Sequence, residues 1–256
     1  MARRSPLRHV EMVMGTAVTI DLLDPGEDAK ALVDEAVAWF HEVDRRFSTY
    51  EAGSEVSRID RGALAGTAAS PDMRHVLDAC EDLREATDGF FDAYATGHFD
   101  PSGYVKGWSV QVASDRLLAA GATNHCVNAG GDIRVHGDGP DGDGWRVGIT
   151  HPWERLKVAW VVAGTDLAIA TSGTYERGLH VIDPFSGTPA DFLCSVSITG
   201  TDLAVADAYA TAALAMGERG IDWLGTLPGY ESAVITKTGE AYRSDGFPLI
   251  DADPDV

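Results

Sequence analysis

The chain has 256 residues, 45% of them hydrophobic and 23% charged, which is ordinary for a soluble globular protein able to bury a sizeable core. Against 20 basic residues stand 40 acidic ones, a formal charge of −20. That field repels nucleic-acid backbones and anionic membrane surfaces, so neither nucleic-acid binding nor membrane insertion is expected.

The first residues, MARRSPLRHVEM, are basic but carry no apolar h-region, and no lipobox cysteine follows. No run approaches the ~20 apolar residues that span a bilayer. Cys80, Cys126 and Cys194 are widely spaced, with no CxxC pair, and read as small hydrophobes in a reducing compartment. These features predict a cytoplasmic protein, the alternative being an exported one trimmed of its leader.

In chain order, residues 10–23 (VEMVMGTAVTIDLL) read as one strand. A helix follows, with Val33, Ala36, Val37, Phe40, Val43 and Phe47 at helical spacing. Ser70-Pro71, a cap and a first-turn proline, open a second helix that stops near Asp88-Gly89. Val110 to Ala120 reads as a third. The second half is strand-rich (CVNAGGDIRVHG, WRVGIT, KVAWVVAG, DLAIATSG, CSVSITG, ESAVITKTGEAYRS) and is broken by one strong helix, LAVADAYATAALAMGER, capped by Asp202. Runs of strands with inserted helices predict an α+β fold with mostly antiparallel sheets and packed helices. No linker divides the chain, which is expected to be one domain over 1–256 with room for two intimate subdomains. GDGPDG at 137–142 matches GxGxxG but leads into a strand, so it reads as a hairpin loop and not a dinucleotide fingerprint.

Four stretches hold more polar detail than folding requires. In FSTYEAGSEVSRID (47–60), Ser54 caps a helical turn and Tyr50 is free to project. FDPSGYVKGW (99–108) is turn chemistry before Lys106, which suits either a phosphate or a solvated surface. In CVNAGGDIRVHG (126–137), adjacent glycines mark a bulge or the close approach of a ligand. The fourth joins TSGTYERGLHVIDPFSGTP (171–189) to the last long helix. His180 and Asp183 sit three apart in a glycine-rich loop, and a histidine there can serve as a general base or as a structural residue. Asp207 and Thr211 share one helix face; they suit a hard cation such as Mg²⁺, or a solvated carboxylate beside a threonine bonded to its own helix.

In this order, MGT (14–16), FSTYEAGSEVSRID, GFFDAY (89–94), FDPSGYVKGW, VNAGGDIRVHG, WRVGI, ATSGTYERGLHVIDPFSGTP and SVSITGTDLAVADAYATAALAMG resemble the FAD:protein FMN transferase (ApbE) family. The resemblance runs from residue 14 to residue 217. It implies an enzyme that moves the FMN half of FAD to a Ser or Thr hydroxyl of a target flavoprotein and releases AMP in a Mg²⁺-dependent reaction. Carried over residue by residue, it makes His180 the base, with Asp207, Thr211 and a backbone carbonyl near Val105 as Mg²⁺ ligands. It sets Met14 and Tyr50 against flavin or adenine rings. Ser54, Lys106, Asn128, Gly130, Gly131, Asp132, Thr171, Ser172 and Gly173 would line the dinucleotide. The alternatives are an FAD pyrophosphatase giving FMN and AMP, and a non-catalytic flavin-binding protein.

Overall fold

A computed structural model describes residues 5–154, 156–174 and 181–252. Among these, two antiparallel sheets and a layer of helices form three layers. The larger sheet has the order β1(Leu7–Val13), β2(Thr16–Leu22), β3(His125–Ala129), β4(Asp132–His136), β7(Asp166–Gly173), β8(Leu193–Gly200), β9(Glu231–Thr236), β10(Ala241–Arg243). The smaller has the order β11(Leu249–Ala252), β6(Val158–Gly164), β5(Trp145–Thr150). The α+β expectation therefore holds, with every strand pairing antiparallel.

The helices are α1(Ala29–Phe47), α2(Glu55–Asp60), α3(Pro71–Ala86), α4(Ser102–Ala119), α5(Leu203–Met216) and α6(Glu218–Leu224). They cover one face of the larger sheet and enclose the main core, where Phe40, Met73, Leu203 and Leu214 are fully buried. The other face packs Ile133, Val135, Ile169 and Ile235 against Trp145, Val147, Trp160 and Val162, mostly from the smaller sheet. Fully burying side chains of this size stabilises the fold by about 1.5–3 kcal/mol each. Because the sheet is covered on both faces, its central strands β4 and β8 are buried at nearly every position and lose the alternation that usually marks an antiparallel strand.

Several local expectations are corrected. Residues 10–23 form a hairpin and not one strand: Met14 (φ 54°) and Gly15 (φ 70°) turn the chain between β1 and β2. The paired glycines at 130–131 (φ 57° and 98°) form the two-residue turn between β3 and β4, with no bulge, since positive φ at both centres suits this hairpin geometry. GDGPDG is no hairpin loop, because β4 and β5 belong to different sheets and the segment carries the chain between them. Helix α4 begins eight residues before Val110. Its early residues Gly103 and Gly107 are poor helix formers, and their reason is tertiary: they let α4 approach α5.

Caps and cysteines follow the sequence reading. Ser70 and Asp202 accept hydrogen bonds from Met73 and Val205 N–H, and all three thiols are free. No helix among the described residues is long and apolar enough to cross a membrane.

Beneath α4 lies a buried histidine. His125 Nδ1 donates to the Ala122 carbonyl at 2.6 Å, so Nε2, 2.7 Å from Ser114 Oγ, accepts the hydroxyl proton; the network assigns this tautomer. Burial pushes its pKa down to about 4, and the neighbouring His136 and Arg134 charges add to the effect. An unfolded histidine protonates near 6.5, so the stability of the neutral buried form is present above that pH and drains as pH falls from 6.5 towards 4. Urea melts should therefore show the native chain losing about 2 kcal/mol more than His125→Gln between pH 7.5 and pH 5. Equal losses would remove His125 as the cause.

Candidate active site

The end of β7, the β1–β2 turn, α4 and α5 meet at a cleft of about 340 Å³. Met14, Tyr50, Val105, Lys106, Thr171, Ser172, Gly173, Asp207 and Thr211 all line it, gathered from positions up to 197 residues apart (211 − 14). Each arrives by a local device. The β1–β2 turn presents Met14, whose Sδ lies 3.8 Å from Ser109 Oγ, a hydroxyl that donates to the Lys106 carbonyl at 2.7 Å. Tyr50, in the turn after α1, is 97% exposed at the rim. The last residues of β7 supply Thr171, Ser172 and Gly173, and Ser172 Oγ lies 3.4 Å from Thr211 Oγ1.

Helix α5 is alanine-rich and buried almost all round, so Asp207 sits in the interior at 2% exposure. Its Oδ2 accepts the Gly107 N–H at 3.0 Å. Burial, and then the Asp132 charge, push the Asp207 carboxyl well above the usual carboxylate range; Lys106 and the Gly107 amide oppose them. When protonated, Asp207 donates a hydrogen bond to Asp132. Lys106 Nζ lies 2.8 Å from Asp132 Oδ2, and Asp132 is fully buried.

Other expected site residues stand elsewhere. Ser54 is the N-cap of α2: its hydroxyl accepts Ser57 N–H and donates to the Ser48 carbonyl, and it lines a separate pocket beside Arg45, Arg46 and Arg58. Asn128 Oδ1 accepts Gly131 N–H within the β3–β4 turn, and Gly130 packs against Thr16 there; neither they nor Gly131 line the cleft. Asp132 sits behind the cleft wall on Lys106. His180 lies outside the described residues, as do Tyr175, Glu176 and Arg177.

The sequence reading also missed contributors. Asp44, Asp92 and Asp100 bring further negative charge to the cleft, and Phe90 and Phe91 form part of its wall. Asp92 and Asp100 each accept a backbone N–H two residues on, so in sequence they look like ordinary turn residues. Phe90 and Phe91 are both buried in the main core as well, so the GFFD stretch reads in sequence as ordinary core material.

Carboxylate and hydroxyl oxygens beside the early turns of α4 form a hard donor set. Gly103 keeps α4 so near that a Cβ there would meet Thr211 Oγ1 at 3.2 Å. No group of three or more His, Cys, Asp or Glu among the described residues is arranged to hold a metal ion. The residues present fit a Mg²⁺-type ion, for which few carboxylates and several neutral oxygens suffice.

Residues 14–98 and 95–234 match the ApbE family. An FAD:protein FMN transferase of Vibrio cholerae is 30% identical over 266 aligned positions, covering 80% of each chain. The chain belongs to the ApbE family. Among solved structures, the flavin transferase ApbE from Vibrio cholerae superposes with a TM-score of 0.86 at 26% identity, covering 96% of this chain and 99% of that one. The ApbE protein of Thermotoga maritima shares the fold, with a TM-score of 0.84 at 22% identity over 94% and 97% of the two chains. Both ApbE comparisons span the helical layer and the sheets that build the cleft.

Proposed function

We propose that this chain is an FAD:protein FMN transferase that moves FMN from FAD to a Ser or Thr hydroxyl of a target flavoprotein and releases AMP, in a Mg²⁺-dependent reaction. The observation that carries the reading is the convergence of Asp207, Thr211 and Ser172 in a cleft of a chain whose relatives are named for that transfer. Met14 and Tyr50 offer apolar and aromatic surface at the rim for a flavin or adenine ring. Asp207, Thr211 and the carbonyl of Val105 would hold the ion. When bound, Mg²⁺ neutralises phosphate oxygens and stabilises charge on the departing AMP. The acceptor oxygen attacks the FMN phosphorus as its proton passes to the His180 imidazole, and the bond to AMP breaks.

The test incubates the chain with FAD, MgCl₂ and recombinant flavoproteins from the same source. Intact-mass spectra should gain one FMN phosphoester, with equimolar AMP. His180→Ala should still quench FAD fluorescence and lose transfer. FMN and AMP formed at the same rate without any acceptor would make the chain a pyrophosphatase, and failure to bind FAD would overturn the reading.

A further inference from the structure

The loop from Ser48 to Ser54 gives Tyr50 to the cleft and its last two residues, Gly53 and Ser54, to a second cavity of about 300 Å³. In a chain of formal charge −20, the wall of this cavity carries three guanidinium side chains, Arg45, Arg46 and Arg58, against one carboxylate, Glu55. Two of the three are anchored by carboxylates that do not line the cavity. Arg45 donates both arms of its fork to Glu42, at 2.9 and 2.7 Å. Arg46 Nη2 donates to Asp72 at 2.7 Å and Nη1 to Ser70 Oγ at 3.3 Å, while Nε stands 2.9 Å from Glu42 Oε1. Glu55 is committed as well, since its Oε2 accepts the Ser70 N–H at 2.8 Å. Arg58 differs: it is half-buried on α2, and its guanidinium has no hydrogen bond or ion pair among the described residues. Ser70 adds a second unspent donor. Its oxygen accepts from the Met73 N–H and from Arg46, and its own hydroxyl proton has no acceptor among the described residues.

We propose that this cavity binds a phosphate-type oxyanion, held by the Arg58 guanidinium with the Ser70 hydroxyl and the remaining N–H groups of Arg45 and Arg46 around it. A guanidinium carries five N–H donors, so Arg45 and Arg46 keep donors after their carboxylates are met, and Arg58 keeps all of its own. Drawing an unpartnered charge partly out of water costs free energy that a bound counter-ion returns. The planar fork matches phosphate oxygens two at a time. The donors come from α1, α2 and the cap of α3, so they approach from several directions, as the oxygens of a tetrahedral anion require. Leu64 and Ala68 supply the apolar part of the wall, and no aromatic ring lines it among the described residues, so the recognised group is the phosphate and not a nucleotide base. The two cavities share no lining residue, and anion binding can be read without FAD and without transfer.

The experiment is calorimetric titration of sodium phosphate into the full chain, without FAD or Mg²⁺, against a chloride buffer of matched ionic strength. The native chain should take up phosphate, and Arg58→Gln should weaken that binding at least tenfold. Arg58→Lys keeps the charge but loses the fork, and should fall between the two. A parallel titration with glycerol phosphate separates the sources. Binding as tight as that of inorganic phosphate, or tighter, assigns the site to a phosphorylated small molecule, and weaker binding assigns it to the free ion; either upholds the site. Because Arg58 gives up no contact on replacement, Arg58→Gln should melt with the native chain in phosphate-free buffer. Added phosphate should raise the native melting point and leave that of the variant unchanged. No phosphate uptake by the native chain, or uptake unchanged in Arg58→Gln, overturns the proposal. So does a lower melting point of Arg58→Gln without phosphate, since Arg58 would then already be spent on the fold. FAD binding and FMN transfer are measured separately, and Arg58→Gln should leave both at native levels.

Discussion

Asp207→Asn is expected to lower Mg²⁺-dependent FMN transfer by about a thousandfold while raising the thermal stability of the metal-free chain. Asparagine keeps an oxygen for the Gly107 N–H and nearly the same volume, so the α4–α5 contact survives. What it removes is a charge that could anchor a cation. The gain in stability follows from the same burial. A carboxyl held well above its ordinary range keeps its proton in the folded state at pH values where the unfolded chain has released it. The metal-free chain therefore loses stability as pH rises from the ordinary carboxylate range through the raised folded value. Asparagine has no such loss, so its melting advantage should be clear at pH 7 and shrink towards pH 4. Transfer assays across a MgCl₂ series, with melts at both pH values, check the two halves separately. Near-native activity with the usual Mg²⁺ dependence would exclude Asp207 as a ligand. A lower melting point would show that the carboxylate contributes to the fold.

That opposition between stability and chemistry bears on what the sequence could reveal. Local chemistry was legible: Ser70-Pro71 starts α3, Asp202 caps α5, and Ser54 caps α2. The Asp207–Thr211 spacing showed that the two share a helix face, and the structure brings Ser172 to that face. Four things were hidden, for reasons that local chemistry does not carry. Met14 at φ 54° is a turn residue that nothing local demands, so the first hairpin read as a single strand. Gly103 and Gly107 are poor helix formers whose place in α4 is a condition of its packing against α5, which no local pattern shows. Ser54 and Asn128 carried hydroxyl and amide chemistry suited to a ligand, and both spend it on backbone groups of their own turns. Pairing Lys106 with Asp132 needed the packing of α4 against β4.

Gly107→Ala tests the link between packing and site most sharply. A Cβ at this position would lie 2.6 Å from the Leu203 carbonyl oxygen, 2.8 Å from Asp207 Cβ and 3.2 Å from Ala204 Cα. Two of these are backbone atoms of a buried helix and cannot swing aside. Alanine gains about 1 kcal/mol of helix propensity over glycine. Overpacking between two helices in a dense core costs about 1–3 kcal/mol and more where backbone must move, so the net effect is a loss of about 2 kcal/mol. The displacement falls on Asp207 itself and stretches its bond from the Gly107 amide, so transfer should drop more than tenfold even well below the melting temperature. Gly103→Ala provides the graded comparison: its Cβ would meet Thr211 Oγ1 at 3.2 Å and Phe91 Cε2 at 3.3 Å, side-chain atoms where Gly107 meets backbone. Gly53→Ala, with nothing within 4 Å, should be neutral in both stability and activity. Urea melts and transfer rates on the three variants should rank Gly107 well below Gly103, and Gly103 slightly below Gly53. If Gly107→Ala instead melts like the native chain, α4 and α5 are not in the close contact that sets Asp207 in the cleft.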